Sequence, residues 1–132
     1  MACNSVAVAT AKVGIQVNRQ QLHKFFAEMS KLTGQKMHVV EAWLDGYNEH
    51  MVIMHVEQGY QHGYLYIDAK TGSISAEYFQ DERVRDEALA WVKAQIITLQ
   101  QTLLLAALQQ AGVDIQAAQQ VDGTLFAKIL VR

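Results

Sequence analysis

The apolar positions of this chain change their period several times, and each change marks an element. From Asn4 to Lys12 they alternate, with Val6 and Val8 on one face and Ala7, Ala9 and Ala11 on the other, which predicts a strand. Asn18 offers an N-cap, and Leu22, Phe25, Phe26, Met29 and Leu32 then follow at helical spacing until Gly34 supplies a left-handed stop. Period two returns next. Lys36 to Leu44 and Glu49 to Glu57 flank Asp45-Gly46-Tyr47-Asn48, where Asp-Gly tolerates positive φ and predicts a hairpin. Gly63 to Ala69 and Ser73 to Phe79 flank a second tight turn at Lys70-Thr71-Gly72. The strand after the first turn carries Val, Ile and Met on both faces, as expected of a sheet covered on both sides or paired in an oligomer.

From Asp81 to Ala111 no glycine intervenes, and Asp81, Glu82, Asp86 and Glu87 crowd the first turns, where the helix dipole favours acids. Leu89, Val92, Ile96, Leu99 and Leu103 repeat in steps of three and four, the seam of one long helix. At about 1.5 Å per residue it would span roughly 46 Å, against a diameter of about 36 Å for a compact chain of this length. The helix is therefore expected either to overhang the domain or to break near Thr98 to Gln101. Leu103, Leu104, Leu105 and Leu108 point in several directions, so a partner copy is the expected cover and these leucines the expected homodimer interface. Gly112 ends the helix, and Val113 to Gln120 and Thr124 to Val131 predict a closing hairpin around Asp122-Gly123. The fold class expected is α+β, a mainly antiparallel sheet in the order β-α-β-β-β-β-α-β-β, with one short amphipathic and one long helix in a single domain over 1–132.

Composition narrows the function classes. Apolar residues make up 51% of 132 positions, enough to offset the entropy lost on folding, so disorder is not expected. A formal charge of −2 leaves no electrostatic footprint for nucleic acid or an anionic membrane. The greasiest stretch, Leu103 to Leu108, is far shorter than the roughly 18 residues that suggest a bilayer span. Met1-Ala2-Cys3-Asn4 lacks the basic segment and apolar core of a secretion signal, so the expected compartment is the cytoplasm. Cys3 is the single cysteine, which excludes an internal disulfide and a Cys-rich zinc cage.

Histidine is the residue type that hints at chemistry. A four-residue loop at 45–48 would set His38 directly opposite His55 on one face of the hairpin, with Glu57 on the face of His55 as a third donor. Two imidazoles there could hold a metal, although zinc needs two further ligands; an ordinary half-exposed cross-strand pair is the plainer reading, and no cofactor is expected. His62 lies in Gly59-Tyr60-Gln61-His62-Gly63-Tyr64, with Tyr66 beyond. Aromatics beside glycines can line a small-ligand pocket, and the plainer alternative is a surface turn leading into a strand. His23, on the flank of a complete apolar stripe, is expected to be solvated. Glu41, set among Val39, Val40, Ala42 and Trp43, is the carboxylate most open to burial, and with His50 on its face it forms a conceivable acid/base couple. The alternative for Glu41 is an edge charge that discourages aggregation. No nucleophile elbow, phosphate loop or dinucleotide fingerprint occurs, so no catalytic residue is assigned.

The strand Ser5-Val6-Ala7-Val8-Ala9-Thr10, the single helix, the strand series with its Gly46-Tyr47 step, and the long helix closing at Ala111-Gly112 form one outline. A glutamine-rich strand and a hairpin from Asp122-Gly123-Thr124 to Leu130-Val131-Arg132 complete it. Over nearly the whole chain that outline resembles a family of small open-reading-frame proteins of cyanobacteria and algal plastids, of unassigned function. The likeness is one of element order and carries over no functional residue; it implies an accessory or assembly-type protein. Two functions are therefore expected to compete. One is a non-enzymatic accessory or protein-interaction domain acting as a homo-oligomer, with a protein partner beyond itself conceivable. The other is a small-ligand or metal-binding module using His38, His55 and the Tyr60–Tyr66 loop.

Overall fold

The first helix shows how local chemistry fixes an element. Asn18 caps it from both sides: its side chain accepts from the Gln21 amide at 2.8 Å, and the Gln21 side chain accepts from the Asn18 amide at 3.0 Å. Leu22, Phe26 and Met29 form its buried stripe. The computed structural model describes residues 9–12, 17–112, 114–121 and 124–130, with side chains over 17–112. The elements are β1 (Ala9–Lys12), α1 (Arg19–Met29), β2 (His38–Leu44), β3 (Met51–Gln58), β4 (Gln61–Asp68), β5 (Ser73–Glu77), α2 (Glu82–Gln110), β6 (Asp114–Val121) and β7 (Thr124–Leu130). Antiparallel sheet with two helices makes this an α+β protein.

The chain divides into two compact units, Met1–Ala94 and Gln95–Arg132. The first holds a five-stranded antiparallel sheet in the order β1-β5-β4-β3-β2. Alternation along the strands gives the sheet two different faces. Val39, Val52, Met54, Val56, Leu65, Ile67, Ile74 and Ala76 are buried, and with Leu22 and Phe26 of α1 and Val84, Ala88 and Val92 of α2 they form the core. The opposite face carries Trp43, Ile53, His55, Tyr64, Tyr66 and Glu77, all half-buried. Phe26 and Trp91 bring the two helices together, their ring centroids 6.4 Å apart. Glu87 of α2 accepts from the Gln58 side chain at 2.7 Å and pairs with Lys36 and Arg83. The Gln58 hydrogen bond and those cations hold its carboxyl below the ordinary range.

In the second unit β6 and β7 form a two-stranded antiparallel sheet, with Val121 opposite Thr124. Asp122 and Gly123, the expected turn, lie outside the described residues, as does the expected strand before Ala9 and the cysteine at position 3. Helix α2 is capped by Asp81, whose Oδ1 accepts from the Arg83 amide at 2.8 Å, and it runs to Gln110 without the break allowed for near Thr98 to Gln101. Gly112, at φ +82°, follows it. Along its second half Ile96 and Leu99 are buried, Leu103, Leu105 and Leu108 are half-buried, and Leu104 is 48% exposed. Among the described residues no helix is long and apolar enough to cross a membrane.

Two features of the first unit depart from expectation. Leu32 is not part of the apolar stripe of α1; the helix ends before it and the side chain is exposed. His23 is not simply solvated: its Nε2 lies 3.1 Å from the carbonyl oxygen of Ala42, and Arg19 donates to the carbonyl of Asp45. Since β2 is an edge strand, α1 thereby covers backbone acceptors that an edge would otherwise offer to another chain.

Candidate functional site

A missed turn builds the site. Gln58 pairs with Gln61, so Gly59 and Tyr60 form a two-residue connection between β3 and β4, with Gly59 at φ +60°. Glycine at the first central position suits the right-handed twist of the strands. His62, expected in a loop, is therefore on β4, directly opposite Glu57, and Tyr64 is directly opposite His55. Gly63 between them faces the core, where the ring of Phe79 covers it: a Cβ placed there would meet Phe79 Cδ2 at 2.5 Å. Phe79 reaches that position because Tyr78 takes φ +70°, a left-handed conformation that bulky residues rarely adopt and that costs roughly 1–3 kcal/mol. The kink sends Phe79 into the core, 3% exposed, and leaves Tyr78 on the outer side, 54% exposed.

The result is a depression of about 440 Å³ lined by Tyr64, Tyr78, His62, Gly63, Gln61, Gln80 and the fully exposed Tyr60. Tyr64 is its hub. The ring stacks on His55 with centroids 4.9 Å apart and planes 17° apart, meets Tyr78 edge-on at 5.7 Å, and meets Trp43 edge-on at 6.1 Å. His55 Nε2 and His62 Nδ1 lie 3.2 Å apart, within hydrogen-bonding distance. Next along β4, burial pushes the Tyr66 phenol above its ordinary pKa, and the neighbouring Glu77 carboxylate adds to the shift.

The first hairpin corrects the expected histidine pairing. Its connection spans 45–50 instead of four residues, and Val40 is an extra residue bulged out of β2. His38 consequently faces Glu57, not His55, and the residue opposite His55 is Glu41. His55 takes His62 as its imidazole neighbour instead. The Glu41–His50 couple does not form. Glu41 is exposed on an edge strand, while His50 sits before β3 with its Nε2 3.4 Å from Glu49 Oε1. Tyr60 and His62, named in the sequence, do line the depression; Tyr78 and Gln80 were missed, because nothing in the string Glu77-Tyr78-Phe79-Gln80 announces a left-handed residue. Among the described residues no three or more His, Cys, Asp or Glu side chains gather as a metal site.

No family model, curated protein or solved structure matches this chain.

Proposed function

We propose that this protein is a non-enzymatic binding domain whose tyrosine–histidine depression takes a small planar ligand. The single observation that supports this most is the strained backbone of Tyr78, which sets an exposed aromatic ring edge-on beside Tyr64 in the lining of the depression. Aromatic walls bind planar molecules through their faces and edges, at about 0.5–1.5 kcal/mol per ring pair beyond the area buried. The amides of Gln61 and Gln80 and the imidazole of His62 supply donors and acceptors at the margin. None of these groups is set up as a nucleophile beside a base, which is why binding is proposed and turnover is not. The test is a thermal-shift and calorimetric screen of the purified chain, with EDTA present, against nucleosides, flavins and indole acids. Binding by at least one class, lost in Tyr64→Ala and Tyr78→Ala, is expected. Flat calorimetric traces for every class at millimolar concentration would discard the reading.

A second reading has its own observation. Leu104 is 48% exposed on α2 beside three half-buried leucines, and burying one leucine fully is worth roughly 1.5–3 kcal/mol. We propose that this stripe pairs with a second copy of the chain, giving the homodimer that an accessory protein would use. Light scattering should report a dimer that Leu104→Glu dissociates or aggregates; a monodisperse wild-type monomer at micromolar concentration excludes it.

A further inference from the structure

We propose that His55 and His62 together bind one divalent transition-metal ion of the copper–nickel–zinc class at the edge of the tyrosine depression. The inference stands on the imidazole pair alone and does not depend on the planar-ligand reading. His55 and His62 come from neighbouring strands, on diagonal positions of one sheet face. Their facing nitrogens, His55 Nε2 and His62 Nδ1, are 3.2 Å apart. Metal–imidazole bonds are about 2.0–2.1 Å, so two nitrogens at this separation subtend about 100° at a shared ion. That angle lies between the right angle of square-planar or octahedral sites and the tetrahedral angle. The separation therefore matches that of two adjacent ligands on one metal.

The pair is also suitably held. His55 is half-buried, and its ring stacks on Tyr64 at 4.9 Å, while His62 is exposed and meets His55 edge-on at 5.3 Å. An ion bound to both sits about 1.3 Å off the line between the nitrogens, by the same bond lengths, so a modest rotation of His62 aims its lone pair. The proton count closes. Two neutral rings carry two N–H protons; the ring that donates in the His55–His62 hydrogen bond passes that proton through water to its far nitrogen, so that binding leaves protons on His55 Nδ1 and His62 Nε2 and frees both facing nitrogens. Imidazole donors suit copper, nickel and zinc. Since among the described residues no third His, Cys, Asp or Glu joins the pair, the remaining positions are left to water and to whatever molecule occupies the depression that His62 also lines.

The experiment titrates untagged, EDTA-stripped protein with Cu²⁺ and reads electron paramagnetic resonance, with Zn²⁺ as a competitor. The expected result is one equivalent of bound copper carrying the hyperfine signature of two imidazole nitrogens, and a lower apparent copper affinity when excess Zn²⁺, the weaker binder, competes for the pair. His62→Gln should reduce the signature to one nitrogen and His55→Gln should abolish stoichiometric binding, both with an unchanged far-ultraviolet spectrum. His38→Gln and His50→Gln should leave it intact. Failure to bind one equivalent overturns the proposal, and so does a signature that survives in the His55→Gln/His62→Gln double variant. Because no planar molecule is present, a negative result here leaves the planar-ligand screen unaffected, and the reverse holds as well.

Discussion

Replacing Gly63 by alanine adds one methyl group at the point where the fold has least room for it. Gly63 is not in the left-handed region, so backbone conformation does not oppose alanine, and in a strand interior alanine would ordinarily gain roughly 0.5–1 kcal/mol. Space decides against it. The new Cβ would lie 2.5, 2.6 and 2.7 Å from Phe79 Cδ2, Cε2 and Cγ, which are ring atoms and not the loose end of a flexible chain. The ring is 3% exposed and so has no cavity to retreat into. Overpacking of this kind costs about 1–3 kcal/mol, so the clash outweighs the gain and a net loss of about 1–2 kcal/mol is expected. For a unit of this size that is a fall in melting temperature of roughly 5–15 °C. Urea denaturation followed by the fluorescence of Trp43 and Trp91 reads it directly. In a Phe79→Leu background the same substitution should become neutral or stabilising, since the ring that opposes it is gone. A Gly63→Ala midpoint equal to wild type, with an unchanged slope, would show that Phe79 does not cover Gly63, and the account of how Tyr78 is placed would go with it.

Three further outcomes follow from the same structure. Gly72→Ala should cost about 1 kcal/mol because Gly72 holds φ +77°, whereas Gly46→Ala should change the denaturation midpoint little, since Gly46 is not left-handed and its Cβ would meet no atom within 4 Å. The Tyr66 phenol has its pKa raised by folding, so the folded state keeps that proton longer than the unfolded chain. The stability this contributes is complete below about pH 10 and is lost as pH rises through the folded value; ultraviolet titration should show one late phenol that Tyr66→Phe removes. His23→Leu should cost about 1 kcal/mol in urea by leaving the Ala42 carbonyl without its imidazole partner, and light scattering should show more association through the β2 edge.

Periodicity made the elements legible because burial on one face leaves its period in the sequence. Leu22, Phe26 and Met29 mark α1, and Val52, Met54 and Val56 mark the buried face of β3. What periodicity does not carry is register. The connection over 45–50 can lengthen without disturbing the apolar pattern on either side of it, yet its length puts Glu41 and not His38 opposite His55. A clearer signal was present at Gln58-Gly59-Tyr60-Gln61, where a glycine followed by one residue between alternating stretches is the mark of a tight hairpin. Reading it would have carried β4 back to Gln61 and brought His62 beside His55. Tyr78 is a different case. Its left-handed backbone goes with the packing of Phe79 over Gly63, a contact across 16 positions of sequence that no local pattern records.

Tyr78 thus contributes to stability through its backbone and to binding through its ring, and two substitutions can tell the contributions apart. Alanine at 78 removes the aromatic wall but keeps the left-handed strain; glycine removes both. Strain at a left-handed residue is worth about 1–2 kcal/mol, while glycine gives back roughly 0.5–1 kcal/mol through the freedom of the unfolded chain. Tyr78→Gly should therefore be more stable than Tyr78→Ala by about 0.5–1 kcal/mol, although both lose the edge-on contact with Tyr64 at 5.7 Å. Both should be equally unable to hold a planar ligand, because the wall is absent in each. A residue kept at a backbone cost that a smaller one would relieve is what a binding site predicts and a purely structural turn does not. Urea midpoints settle the point: Tyr78→Ala as stable as Tyr78→Gly, or more so, would mean that the backbone at 78 carries no strain, and the strongest support for the depression as a site would be gone.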